Sequence, residues 1–157
     1  MHAANCIAEI SESALRRNIR AIRQRAGAVP LCPAVKADAY GHWLDLVLKT
    51  LSSERIGQIA VANLNEALQA RRLGWHRSIL CLGAPLAADD GTNGPHARRT
   101  AIAADIQVTI SSPAEAQRLS VEAGRLGRPA RVQVKVDSGM GRMGIPCGQA
   151  LESIVQI

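Results

Sequence analysis

The chain contains no phenylalanine, one tyrosine and two tryptophans among its 157 residues. Proteins that bind single-stranded nucleic acid need exposed rings on which bases stack, so this scarcity argues against that class. A core without large rings must be packed from Ala, Val, Ile and Leu. Such a core suits buried parallel strands covered by Ala- and Leu-rich helices. Cysteine is sparse and dispersed. Cys6, Cys32, Cys81 and Cys147 form no CxxC pair and no Cys/His ligand spacing, which argues against zinc and against a disulfide framework. No apolar run approaches the ~18 residues of a membrane span, and no charged start leads into an apolar stretch. The expectation is a reduced, cytoplasmic protein with no metal, nucleic-acid or membrane partner.

What is present points to one domain of ordinary size. Apolar residues make up 47% of the chain, which is enough for a real core. The formal charge is +6, mostly from arginine, and the densest pairs are Arg16–Arg17, Arg71–Arg72 and Arg98–Arg99. None grows into a basic run, so the arginines read as solvated helix faces. Their field would favour an anionic small molecule.

Leu15, Ile19 and Ile22 recur at helical spacing behind Ser11 and Ser13, predicting a helix over 13–26 that Gly27 and Pro30 close. Apolar runs then appear at 31–35, 56–62, 78–82, 106–110 and 131–136. Helical patterns at 44–51, 65–73 and 112–124 alternate with them, and another begins in the last dozen residues. Residues 83–95 are rich in Gly, Pro, Asp and Asn and read as a loop. Repeated βα units predict a parallel sheet, either open or closed into a barrel. No linker, repeat or low-complexity tract interrupts them.

Two motifs carry chemistry. In Pro33-Ala34-Val35-Lys36-Ala37-Asp38-Ala39-Tyr40-Gly41-His42 a lysine ends an apolar strand. Parallel α/β folds place reactive groups there, and burial favours the neutral, nucleophilic amine. The bland alternative is a strand-end lysine reaching solvent. The second motif is Lys135-Val136-Asp137-Ser138-Gly139-Met140-Gly141-Arg142-Met143-Gly144. It contains a formal GxGxxG, but Ile145-Pro146-Cys147-Gly148 delays any helix that could meet a pyrophosphate. A dinucleotide loop is therefore disfavoured. His76 and His96 have no neighbours at ligand spacing and receive no role.

Val35-Lys36-Ala37-Asp38-Ala39-Tyr40-Gly41-His42 resembles the signature of the alanine racemase family, and the second motif resembles that family's Lys-x-Asp-Thr/Ser-Gly-Met-Gly-Arg-x-Gly stretch. The resemblance implies a (β/α)8 TIM barrel followed by a β-rich domain, with residues 1–157 as about five of the barrel's eight βα units. It implies pyridoxal 5′-phosphate as cofactor, Lys36 as the residue that bonds it, and Tyr40 beside it. Arg142 would meet the cofactor's phenolic oxygen and the substrate carboxylate. Lys135 matches a lysine that many members carry as a carbamate. The implied activity interconverts L- and D-alanine for peptidoglycan, in a full-length form that is a homodimer. Two departures stand out. Trp43 occupies a position that is usually glycine, and Asn65 one that is usually an acid. The family's second base is a tyrosine from the β-rich domain, whereas the one tyrosine here is Tyr40. A fragment inactive by itself is the expectation, and a non-catalytic pyridoxal-phosphate carrier or regulatory protein is the alternative.

Overall fold

Short apolar runs alternating with capped helices give a parallel α/β sheet in the computed structural model, which describes residues 7–83 and 94–157. The N-terminal helix α1 (Glu12–Ala26) starts at Ser11, whose hydroxyl accepts the N–H of Ala14 at 3.3 Å. A short element α2 (Lys36–Gly41) and a helix α3 (Leu44–Ser53) lead to β1 (Gln58–Val61). Three further units follow: α4 (Leu64–Arg72) with β2 (Ser78–Cys81), α5 (Gly94–Ala103) with β3 (Gln107–Ile110), and α6 (Pro113–Leu126) with β4 (Val132–Val134). The described chain closes with a two-stranded pair, β5 (Val136–Asp137) and β6 (Ile145–Pro146), a 3-10 turn and α7 (Ala150–Val155).

The strands β1 to β4 lie side by side in sequence order and all pair in parallel. The run 31–35 extends this order by one position. Ala34 bridges Ala60, with the N–H of Val35 on the Ala60 carbonyl and the N–H of Ala60 on the Pro33 carbonyl, each at 2.8 Å. Pro33 has no N–H to donate, which limits pairing along that run. The sheet does not close among the described residues, as an incomplete barrel requires. Ile59, Val61, Ile79, Val108 and Ile110 are buried within it, and Ala67 and Ala70 let α4 approach closely. Burying each of the larger side chains contributes about 1.5–3 kcal/mol.

Several details differ from the sequence reading. Residues 84–93 of the expected loop lie outside the described residues, but Gly94 and Pro95 already belong to α5. Proline is tolerated in a first helical turn, where its missing N–H costs nothing. Helix α6 runs through Gly124 and stops at Gly127, which takes the left-handed conformation that closes helices. The run 131–136 divides at Lys135 into β4 and β5.

The arginines are also less free than solvated faces would be. Arg71 donates to the carbonyls of Ala104, Trp75, Arg77 and Asp105, and Arg128 to that of Ala103. These carbonyls lie at the end of α5 and in the connections that lead from α4 and α5 to the next strands, and guanidinium groups satisfy them at the amino edge of the sheet.

Glu54 follows the last turn of α3, where a carboxylate meets the negative end of the helix. Arginines from α1 offset this. Arg20 contacts Glu54 at 2.8 Å and Arg16 at 3.4 Å, while Arg23 donates to its backbone carbonyl. Arg20 first, then Arg16, holds the Glu54 carboxyl below its usual range. A depressed folded pKa gives stability that is present above the ordinary glutamate pKa and lost as pH falls through the lower value. Thermal melting between pH 7 and pH 3 is expected to show an acid-induced loss that is smaller in Glu54→Gln, which starts less stable at neutral pH. An identical acid loss in both proteins would remove Glu54 as its source.

Candidate active site

Lys36 stands where the run 31–35 leaves the carboxyl edge of the sheet, and its backbone path there is unusual. Ala37, Asp38, Ala39 and Tyr40 all have φ between 52° and 57° with ψ between 37° and 54°. Four consecutive non-glycine residues thus wind to the left. Each costs roughly 1–2 kcal/mol against a right-handed turn, and such strain persists where surrounding contacts over-determine it.

Those contacts can be named. The N–H of Ala39 meets the Val35 carbonyl at 2.9 Å, and the N–H of Ala37 meets Glu66 Oε1 at 2.9 Å. Asp38 Oδ1 accepts the N–H of Leu44 at 2.8 Å, tying the turn to the start of α3. His42 Nδ1 lies 3.0 Å from the Ala39 carbonyl. Ala39 is buried beneath the turn.

Lys36 is half-buried, and its Nζ sits 5.9 Å from the centre of the Tyr40 ring. The ring itself is largely exposed. Lysine and tyrosine four positions apart are therefore brought together on the outside of the turn. The apolar cleft behind it has a volume of about 350 Å³ and is lined by Leu15, Ile19, Leu31, Val35 and Leu51 among others. Neither Lys36 nor Tyr40 lines it, so it belongs to the packing of α1 rather than to the amine.

The second motif leaves the same edge of the sheet, after β4. The N–H of Lys135 bonds to the Ile110 carbonyl at 2.9 Å, and the Lys135 carbonyl accepts the N–H of Ile145 at 2.8 Å. The loop between β5 and β6 folds around Asp137. Its Oδ1 accepts the N–H groups of Gly139 at 2.9 Å and Gly141 at 3.1 Å. These bonds, with Lys135 adding a smaller attraction, hold the Asp137 carboxyl below its usual range. Arg142 is exposed on this loop. Among the described residues no hydrogen bond or ion pair joins it to Lys36, Tyr40 or Lys135. The structure thus brings Lys36 and Tyr40 together and places Lys135 and Arg142 on the same edge, four strands away.

Sequence reasoning gave Asp137 no role of its own and gave Glu66 only a place in the first turn of a helix. The signal for Glu66 was its place three residues after Asn63, whose side chain caps α4 by accepting the Glu66 N–H at 3.0 Å. No cluster of three or more His, Cys, Asp or Glu side chains among the described residues could hold a metal ion.

Two substitutions probe this geometry. Gly144 has φ +135°, and an added Cβ would lie 2.6 Å from the Asp137 nitrogen. Gly144→Ala is expected to cost about 2–4 kcal/mol in urea unfolding through strain and overlap. A cost near zero would mean that the β5–β6 loop is not held as described. Trp43 has φ 64° and is 69% exposed, so its ring contributes little packing. Trp43→Gly is expected to stabilise the chain by about 1 kcal/mol, because relieved strain exceeds the added unfolded-state entropy. The same unfolding experiment reads it.

Known proteins share both the sequence pattern and the fold of this chain. The family model described as "Alanine racemase, N-terminal domain" matches residues 10–157. The alanine racemase of Geobacter sulfurreducens is 36% identical over 148 residues, covering 92% of this chain and 36% of that protein. Among solved structures, alanine racemase from Clostridium difficile 630 superposes with a TM-score of 0.82 at 32% identity, covering 92% of this chain and 36% of that one. A histidine racemase from Leuconostoc mesenteroides shares the fold, with a TM-score of 0.81 at 24% identity over 94% of this chain and 38% of its own. The chain thus spans little more than a third of the length of these relatives. Its parallel α/β sheet is an incomplete barrel of their type, and the chain belongs to the alanine racemase family.

Proposed function

We propose that residues 1–157 form the amino-terminal, cofactor-anchoring portion of a (β/α)8 barrel in a pyridoxal-phosphate-dependent alanine racemase. The observation that carries this reading is the left-handed turn that sets the Lys36 amine beside Tyr40 at the carboxyl edge of a parallel sheet. The donor set suits a pyridoxal group: a half-buried primary amine for its aldehyde, a phenol ring alongside, and a guanidinium on a loop from the same edge. Lys36 would bond the cofactor, Tyr40 would help fix it, and Arg142 would contact its phenolic oxygen.

When bound, pyridoxal phosphate spreads the charge left on the substrate's α-carbon through its ring. The work of this chain is to move and orient. Lys36 Nζ takes or returns the α-proton on one face. Arg142 presents a planar fork that can hold the substrate carboxylate with two parallel hydrogen bonds, a geometry lysine cannot offer. Lys135, carried as a carbamate, would orient that guanidinium. The opposite face needs a second base. Tyr40, the one tyrosine in these 157 residues, is committed beside Lys36. The 157 residues alone are therefore assigned little turnover. In a full-length homodimer the activity would interconvert L- and D-alanine in the cytoplasm, supplying D-alanine for peptidoglycan.

The chain has three lysines, Lys36, Lys49 and Lys135, which makes the proposal easy to read. Incubation with pyridoxal 5′-phosphate followed by borohydride is expected to place the mass label on the Lys36 peptide, and Lys36→Ala is expected to lose it. Label spread evenly over the three lysines would overturn the assignment. Stereospecific alanine turnover by the chain alone, at the rate of its full-length relatives, would overturn the need for a second base from elsewhere. Selective label without turnover also fits a non-catalytic carrier. The single tyrosine favours that second reading for these residues in isolation.

A further inference from the structure

Two helices of this protein start in the same way, and the difference between them isolates a second task for one carboxylate. At α6 the Ser112 hydroxyl accepts the N–H of Glu115 at 3.3 Å, and Glu115 Oε2 reaches back to the N–H of Ser111 at 2.6 Å. At α4 the Asn63 side chain accepts the N–H of Glu66 at 3.0 Å, and Glu66 Oε2 reaches back to the N–H of Ala62 at 2.7 Å. In both cases one carboxylate oxygen is enough to complete the helix start. Glu66 Oε1 goes elsewhere. It accepts the N–H of Ala37, 29 residues earlier, at 2.9 Å.

Ala37 is the first left-handed residue after Lys36. Its N–H belongs to the peptide that leaves Lys36, so the bond fixes the plane from which the lysine side chain departs. A carboxylate is a strong acceptor for such a bond, roughly twice as strong as a neutral one. The same carboxylate holds the N–H at the end of β1, so it joins the lysine turn to the neighbouring strand end. Asp38 fastens the other side of the turn to α3.

From this geometry we infer that Glu66 is a positioning residue for Lys36. Its bond to Ala37 holds the left-handed turn in the one orientation that presents Nζ for reaction. The inference rests on the reading of Lys36 as the reactive amine, and it adds a residue to which the sequence alone assigned only a helix-start role.

The test uses the whole 157-residue chain and pyridoxal 5′-phosphate as probe. Label fixed by borohydride is followed over time on Lys36, with Lys49 and Lys135 as internal references. Glu66→Ala is expected to slow labelling of Lys36 roughly tenfold to a hundredfold, while the reference lysines keep their rates. Glu66→Gln keeps the size but can accept only one of the two N–H groups, so it should also be slowed. Glu115→Ala loses the equivalent helix-start bond at α6 and should label Lys36 at the wild-type rate. Equal slowing in Glu115→Ala and Glu66→Ala would reduce Glu66 to a stabiliser and overturn the inference. So would wild-type labelling in both Glu66 variants. Wild-type protein that shows no preference for Lys36 would instead fail the reading of the amine itself.

Discussion

Four L-residues do not wind to the left of their own accord, and the candidate site depends on their doing so. The turn Ala37–Tyr40 has no glycine to ease it. It survives because each end is fastened to something already fixed. The Val35 carbonyl and Glu66 hold its beginning, while Asp38 and His42 hold its middle and end. The fastening points lie on β1's neighbour, on the start of α4 and on the start of α3. The geometry of the candidate site is thus a property of the packed sheet and not of the eight-residue motif. An excised peptide with the same sequence would lack the contacts that oppose a right-handed coil.

The composition makes sense in the same terms. With no phenylalanine, the interior is assembled from Ile, Val, Leu and Ala, and close helix approach is achieved at Ala67 and Ala70. Several of the arginines, Arg71 and Arg128 among them, serve the opposite edge of the sheet from the candidate site. There they pair with carbonyls in the connections that follow α4 and α5, as Arg71 does with four of them. Long-range hydrogen bonding at that edge and the candidate site at the other match the usual division in parallel α/β folds, where one end stabilises and the other carries chemistry.

Local signals were legible in the sequence, and non-local ones were not. Ser112-Pro113 with Glu115, and Asn63 with Glu66, announce helix starts because the capping bonds span three residues. That the strands run parallel followed from their alternation with helices, whereas their sequential order did not. By contrast, Ala37-Asp38-Ala39-Tyr40 contains nothing that prefers positive φ, so its handedness came from tertiary contact. Helix α5 was hidden behind a Gly- and Pro-rich stretch whose final residues turn out to begin it. The carbonyl partners of Arg71 include residues more than thirty positions away, and backbone oxygens leave no mark in a sequence. Lys36 and Arg142 were named from motifs, but the edge they share could be seen only once the strands had been laid side by side.

The sequential order of that sheet has a bearing on how the chain acquires it. Each strand finds its partner in the segment made just before it, so no pairing within β1 to β4 waits for a distant part of the polypeptide. Loop closure is then modest at every step. A ribosome emitting this protein could deposit one βα unit upon the last, with the amine's strand laid against β1 and stapled by α4 well before the arginine loop emerges.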